Sequence, residues 1–100
     1  MLIEDKRLQN IADTYRRVVA EVVSRTHHLE LPETSVICGY SSGEGGTHIV
    51  SISLTAEGVG SLESRGEAEY FLTAIRKGVI NAFNLLLQKL DPNLPPLGKT

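Results

Sequence analysis

The sequence predicts an α+β protein, a two-layer sandwich in which two helices cover an antiparallel sheet in the order helix, strand, strand, strand, helix. Apolar residues recur at steps of three and four near both ends of the chain, which is the period of an amphipathic helix. Between these segments, apolar and polar residues alternate with the period of two that is typical of strands. With 100 residues, the chain is long enough for one hydrophobic core. We therefore expect a single domain over residues 1–91 and an extended C-terminal tail over residues 92–100.

The first helix is predicted over about residues 4–25. Four of its apolar residues are valines, which are mediocre helix formers, so this helix depends on burying its apolar stripe. The Leu31-Pro32 pair ends the helical segment, because a residue before proline avoids the helical conformation. The stripe consists of Leu8, Ile11, Ala12, Tyr15, Val18, Val19, Val22 and Val23.

Three strands are predicted in the middle of the chain. Residues 34–40 and 47–56 alternate in polarity, and the glycine-rich segment 41–46 between them favours a hairpin without regular structure of its own. Glu57-Gly58 indicates a tight turn. Residues 59–64 are then predicted to form a short third strand at the edge of the sheet.

The two faces of this sheet differ in character. Val50, Ile52 and Leu54 point to one side of the second strand, and this face is predicted to take both helices. The residues between them are mostly serine and threonine, so the other face is expected to contact solvent or a partner.

The second helix, predicted over residues 67–90, is the element against which the rest of the chain packs. Asp91-Pro92 ends it. Gly78 lies inside it and costs about 1 kcal/mol relative to alanine, so it either permits close packing or is a neutral accident. The core stripe consists of Ala68, Phe71, Leu72, Ile75, Val79, Ala82, Phe83, Leu86 and Leu90.

Further apolar residues in this part of the chain lie off the core stripe. A helix that is apolar nearly all round is either fully buried or covered by another chain, and a two-layer domain has no third layer to cover it. We therefore predict a contact with a second chain, either a second copy in a homodimer or another protein. Without a second copy, the alternative cover is the tail over residues 92–100, folded back with Leu94 and Leu97 against this face. The predicted interface residues are Tyr70, Ile80, Leu85 and Leu87.

Composition argues against several functions. The formal net charge is −2, so the chain lacks the basic footprint expected of a protein that binds nucleic acid or an anionic membrane. Cys38 is the single cysteine, which excludes an internal disulfide and fits a reducing, intracellular setting. Residues 1–7 are too charged for a signal peptide, and no run approaches the roughly 18 apolar residues of a membrane span. A cytoplasmic protein is expected.

The candidate catalytic and metal-binding residues have simpler explanations. Cys38 lies in an apolar alternation, where a small buried side chain is expected rather than a nucleophile. His27, His28, Glu30 and His48 lack the short paired spacing of zinc ligands. Adjacent histidines on a helix also point about 100° apart. The sequence therefore predicts no enzymatic activity, no metal and no cofactor.

Two other patterns are also expected to carry no site. The glycine-rich segment 43–46 has no lysine and precedes a strand, whereas phosphate-binding loops precede a helix. Glu63, Glu67 and Glu69 are expected near the start of the second helix, where acidic residues interact with the helix dipole.

The element order and one short stretch carry a family resemblance. The stretch at the predicted start of the second helix reads Glu63-Ser64-Arg65-Gly66-Glu67-Ala68-Glu69. In its small polar residue and its alanine, it resembles the corresponding junction of double-stranded RNA-binding domains. That family places phosphate-clamping lysines here, whereas this chain has a glycine and a glutamate at two of these positions and keeps Arg65. The resemblance implies the helix-strand-strand-strand-helix fold and keeps one basic residue of the motif, Arg65. If the chain binds RNA, the candidate contact residues are Arg65, Arg76 and Lys77.

A second stretch, Ile52-Ser53-Leu54 followed by residues 58–75, is similar in its order to the dimerising regulatory domain of isopropylmalate and citramalate synthases. A likeness of fold does not by itself give function. We therefore expect a small non-enzymatic interaction or regulatory module, homodimeric or bound to another protein. The alternative is a domain that binds double-stranded RNA.

Overall fold

The structure is a computed structural model that describes residues 6–97. Over this range, two helices and a three-stranded antiparallel sheet follow one another in the predicted order, so the α+β class is confirmed. The expectations for residues 1–5 and 98–100 lie outside the described residues. The elements are α1 (Lys6–His27), β1 (Thr34–Ser42), β2 (His48–Ala56), β3 (Gly60–Ala68) and α2 (Phe71–Leu90).

The sheet has the strand order β1-β2-β3. Cys38 of β1 lies opposite Ile52 of β2, and Ile52 lies opposite Ser64 of β3. Alternate residues therefore share the face that packs against both helices, as the polarity pattern of β2 predicts. Val50, Ile52 and Leu54 are completely buried in that face, and the core continues from it into α1 and α2.

The two hairpin connections differ in structure. A single 3₁₀ turn, Glu44–Gly46, lies between β1 and β2, where the sequence predicts no regular structure. Between β2 and β3, Gly58 adopts a φ of +80°, a left-handed conformation that glycine accepts without the steric cost of a side chain. The tight turn therefore lies at the predicted position.

The third strand is longer than the sequence predicts. It covers Gly60–Ala68 rather than residues 59–64, and it pairs with β2 along its whole length. As a result, α2 begins at Phe71 rather than at residue 67. The inward positions of β3 include Ser64 and Gly66, whose side chains are too small to produce the apolar alternation that identifies the other strands.

The predictions for α2 are wrong at two residues of the core stripe and one residue of the interface set, and Ala68 of the stripe lies in β3. Leu72 and Leu90 are 52% and 38% exposed, because they lie in the first and last turns of the helix. Leu87, predicted to contact a second chain, is only 1% exposed and belongs to the intramolecular core. The reason is that α2 packs against both the sheet and α1, so its buried arc is wider than one stripe. That arc includes Leu87, which is one turn after the buried Phe83.

Close contact between α2 and β3 occurs at a pair of glycines. A Cβ atom on Gly66 would lie 3.0 Å from the Cα of Gly78 and closer still to the carbonyl oxygen of Ala74. A Cβ atom on Gly78 would lie 2.8 Å from Cγ1 of Ile52. At the same place, the Ser64 hydroxyl donates a hydrogen bond of 2.7 Å to the carbonyl of Gly78. Of the two explanations that the sequence leaves open for Gly78, the structure therefore supports close packing.

Each edge of the sheet binds a side-chain amide from a helix. On the β1 edge, the amide nitrogen of Gln9 donates to the carbonyl of Val36, and its amide oxygen accepts from the N–H of Cys38 at 3.0 Å. On the β3 edge, the amide nitrogen of Asn81 donates to the carbonyl of Arg65 at 2.9 Å. These are backbone groups of the outer strands that a further strand would otherwise bind.

Candidate functional site

An apolar groove lies between α1 and α2. Its volume is about 280 Å³, near the lower end of the range for ligand-binding cavities. Val18 and Val22 on the α1 side are 53% and 49% exposed, so the rim of the groove is apolar as well as its floor. The described residues that line it are Tyr15, Val18, Val19, Val22, Arg76, Ile80 and Leu97.

The chain after α2 folds back over the helices and reaches this groove. We call residues 91–97 the C-terminal strap. Leu97 is partly buried in the groove, and its N–H donates a hydrogen bond of 2.6 Å to the side-chain oxygen of Asn84. The Nε2 atom of His27 lies 2.9 Å from the carbonyl oxygen of Pro95. The tail that the sequence predicts as extended is therefore docked against the helices as far as Leu97.

The four predicted interface residues do not form one surface. Ile80 lines the groove, whereas Leu87 lies in the core. Leu85 is 36% exposed and lies about 140° around α2 from Ile80, on the flank where Asn81 contacts β3. Tyr70 precedes the helix and is exposed. Of the four, Ile80 alone belongs to the groove.

Three residues of the groove were not recognised in the sequence as surface residues. The sequence pattern places Val18 and Val22 in the core stripe of α1, and it places Leu97 in a tail that is either extended or folded back over α2. The sequence signal that could have placed Val18 and Val22 on the surface is that each belongs to a pair of consecutive valines. Each stands directly before a second valine, and adjacent residues on a helix point about 100° apart, so a helix such as α1 that buries one narrow stripe buries only one member of each pair.

The three residues predicted for RNA binding lie on different sides of the protein. Arg65 lies on the outer face of β3, where its guanidinium is 3.8 Å from the carboxylate of Glu67. Arg76 and Lys77 are exposed on α2, which covers the opposite face of the sheet. The stretch that resembles the phosphate-clamping junction therefore lies in a strand rather than at the start of a helix. These three residues thus do not form one basic surface.

This separation leads to a prediction for nucleic acid. Duplex RNA should bind no more tightly than about 10⁻⁴ to 10⁻⁶ M at physiological salt, the range of non-specific binding, because phosphate contacts supply most of the affinity. Fluorescence anisotropy with a labelled duplex measures this value. Submicromolar binding with a steep dependence on salt would contradict the prediction, and Arg65, Arg76 and Lys77 would then be the residues to substitute.

Cys38 is a buried residue of the core. Its side chain is 2% exposed on the helix-facing side of β1. Burial raises the pKa of its thiol from the ordinary value of 9.0 to about 11. At neutral pH the group is therefore a protonated thiol, which is a poor nucleophile.

Replacing this cysteine should change stability mainly at alkaline pH. Below pH 9.0, Cys38→Ala should cost about 1 kcal/mol, a typical value for a point mutant. Between pH 9.0 and about 11, the unfolded thiol loses its proton while the native thiol retains it, so the contribution of Cys38 to stability falls as pH rises. Cys38→Ala should remove this decline, which urea unfolding across the pH range measures. Rapid alkylation of the native protein at neutral pH would contradict the assignment.

The histidines are not gathered into a metal site. Nδ1 of His48 lies 2.6 Å from the hydroxyl of Tyr40, and both rings pack near Phe71, with centroid distances of 5.5 to 5.9 Å. His27 faces the strap, and His28 is exposed. Across residues 6–97, no group of three or more His, Cys, Asp or Glu side chains is placed to hold a metal ion.

The acidic candidates are also dispersed. Glu63 accepts a hydrogen bond of 2.9 Å from Ser53 on the outer face of the sheet, and Glu67 lies on the same face. Glu69 is exposed in the link between β3 and α2. These residues therefore belong to β3 and the link that follows it rather than to a first helical turn.

Comparison with known proteins assigns the chain to no family. The chain matches no family model, and the search of curated proteins finds no relative. The element order agrees with that of the double-stranded RNA-binding fold, without a family match to support the likeness further. From Lys6 to Leu97, the structure contains no helix that is long and apolar enough to cross a membrane.

Proposed function

We propose that the protein is a small, non-enzymatic interaction or regulatory module that forms a homodimer through the surface of α1 and α2. The observation that supports this most directly is the apolar rim of the groove, where Val18 and Val22 remain half exposed beside Ile80. Single exposed apolar side chains are ordinary on a protein surface, whereas an apolar groove with an apolar rim is typical of an interaction site.

A second copy suits this surface because a two-fold interface uses the same patch twice. The ridge formed by Val18 and Val22 stands directly beside the groove, so each copy supplies both a ridge and a recess for the other. The opposite side of the protein is less suitable. The outer face of the sheet is rich in serine and threonine. Among the described residues of that face, Ile37 is the large apolar side chain that is exposed.

Two further proposals rest on narrower support. A cytoplasmic location is supported by the single cysteine, which is buried as a free thiol. Double-stranded RNA binding remains the alternative function, and the element order supports it without a matching basic surface.

The homodimer can be tested with two lysine substitutions on opposite sides of the protein. The wild-type protein should have the mass of a dimer by light scattering at high micromolar concentration. Val18→Lys should be a folded monomer, because a charged side chain would be buried at the interface but reaches water in the monomer. Ile37→Lys, which adds the same charge to the outer face of the sheet, should remain dimeric.

Two results would contradict the proposal. A monomeric wild-type protein would exclude the homodimer. A Val18→Lys variant as dimeric as Ile37→Lys would show that copies associate through some other surface. Circular dichroism of both variants checks that the loss of mass does not come from unfolding.

A further inference from the structure

We propose that the groove between α1 and α2 is a docking site for an extended leucine–proline segment, and that the C-terminal strap is such a ligand bound within the same chain. This inference rests on the part of the proposed function that makes the groove an interaction site, and it names a leucine–proline segment rather than a second copy of the domain as the ligand. The strap carries Leu94 and Leu97 with two prolines between them. Both leucines are partly buried against the core, and Leu97 forms part of the lining of the groove.

The spacing of the two leucines suits an extended ligand. Consecutive prolines favour the polyproline II conformation, which has three residues per turn, so residues three apart point to the same side. Leu94 and Leu97 are separated by this interval and both pack against the protein. Pro95 and Pro96 also restrict the unbound segment, which lowers the entropy that is lost when it docks.

The backbone N–H groups of both leucines in the strap are hydrogen-bonded. Prolines have no N–H, so the donors between Leu94 and Leu97 belong to the two leucines. The Leu94 N–H donates to the carbonyl of Asp91 at 3.1 Å, and the Leu97 N–H donates to Asn84. The protein thus recognises the backbone of the strap through a side chain of α2, and it recognises Leu97 through the apolar groove.

His27 contacts the strap through one of its two ring nitrogens. Because a carbonyl oxygen only accepts hydrogen bonds, Nε2 must carry the proton in its contact with Pro95. In the neutral ring, Nδ1 is then an acceptor, and this atom is buried without a hydrogen-bond partner among the described residues. A buried acceptor without a partner costs free energy.

The groove also has room beside the strap. Its volume of about 280 Å³ remains open with Leu97 in place, and Val18 and Val22 stay half exposed along it. The strap therefore covers only part of the apolar surface. We infer that it holds the site partly closed until a longer segment of the same chemistry, supplied by a partner protein, displaces it.

A peptide titration of the full chain tests this inference. The probe is a fluorescent synthetic peptide with the sequence of residues 91–97, and the readout is anisotropy. Leu97→Ser, which weakens the strap, should bind the peptide about tenfold more tightly than wild type if the strap closes the groove about nine-tenths of the time. Leu90→Ser, which changes an exposed leucine outside the groove, should bind like wild type. A peptide with serine in place of both leucines should not bind.

The outcomes separate this inference from the homodimer. Peptide binding to a monomeric protein would support the docking site and exclude the homodimer. A dimer whose Leu97→Ser variant binds no peptide, or binds it no better than wild type, would overturn the docking site and leave the dimer in place. If Leu97→Ser fails to fold, Leu94→Ser takes its place in the comparison. This variant weakens the contact of the strap at its other leucine.

Discussion

Leu87→Glu should unfold the protein. Leu87 is 1% exposed in the core between α2 and the rest of the molecule, and the buried side chains described between residues 6 and 97 include no charged group that could pair with a carboxylate. The substitution removes a buried leucine, which costs about 2–5 kcal/mol, and places a carboxylate in an apolar site at additional cost. The sum is comparable with the whole stability of a small domain, which is about 5–15 kcal/mol. Circular dichroism and urea unfolding measure the result.

Leu85→Glu provides a matched control for this experiment. It introduces the same charge two residues earlier, at a position that is 36% exposed. Its carboxylate reaches water, so the change in the free energy of unfolding should stay within about 1 kcal/mol. A Leu87→Glu protein that is as stable as Leu85→Glu would mean that Leu87 is on the surface. It would restore the original expectation that Leu87 contacts a second chain.

Gly66→Ala should destabilise the protein by about 3 kcal/mol or more, because overpacking here acts on backbone atoms that have no rotamer to change. The new methyl group would press on the carbonyl of Ala74 and on Gly78, and α2 would have to move away from β3. Such a movement would also stretch the hydrogen bond from Ser64 to the carbonyl of Gly78. The free energy of unfolding in urea is the measurement.

Gly78→Ala is the matched comparison from the other side of the same contact. Its methyl group would lie 2.8 Å from Cγ1 of Ile52 and 3.3 Å from the backbone nitrogen of Gly66, which are milder overlaps than those at Gly66. Alanine also gains about 1 kcal/mol in helix propensity over glycine. Gly78→Ala should therefore cost less than half as much as Gly66→Ala. Equal stability of Gly66→Ala and wild type would mean that α2 does not pack against β3 at this distance.

The parts of the fold that could be predicted from sequence are those in which one face of an element carries a strong apolar signal. Helix α1 and strand β2 are examples, since each has a regular period and a polar opposite face. Strand β3 was only partly predicted, because a close approach by a helix requires small residues at its inward positions. Gly66 is buried for that reason, yet glycine contributes nothing to an apolar pattern.

The candidate site was harder to predict because it depends on how two helices meet. Periodicity identifies the apolar arc of a helix, but it does not show which part of that arc faces the sheet, the other helix or solvent. This is why Leu87 was assigned to a surface and Val18 to the core, the reverse of their positions. The docked strap depends on single contacts from Asn84 and His27, which no local pattern in the sequence indicates.

The two amides on the sheet edges have a consequence for the order of events during synthesis. Gln9 precedes the strand that it protects, so the β1 edge has its partner as soon as that strand leaves the ribosome. Asn81 follows β3 by more than ten residues, so the carbonyl of Arg65 lacks this partner until α2 has been synthesised, and the β3 edge is then less protected from strands of neighbouring nascent chains. The incomplete chain that ends shortly after β3 is therefore the form most exposed to strand pairing with neighbouring chains. A stop or a stall before α2 would release a sheet with one edge unprotected and its apolar face half covered.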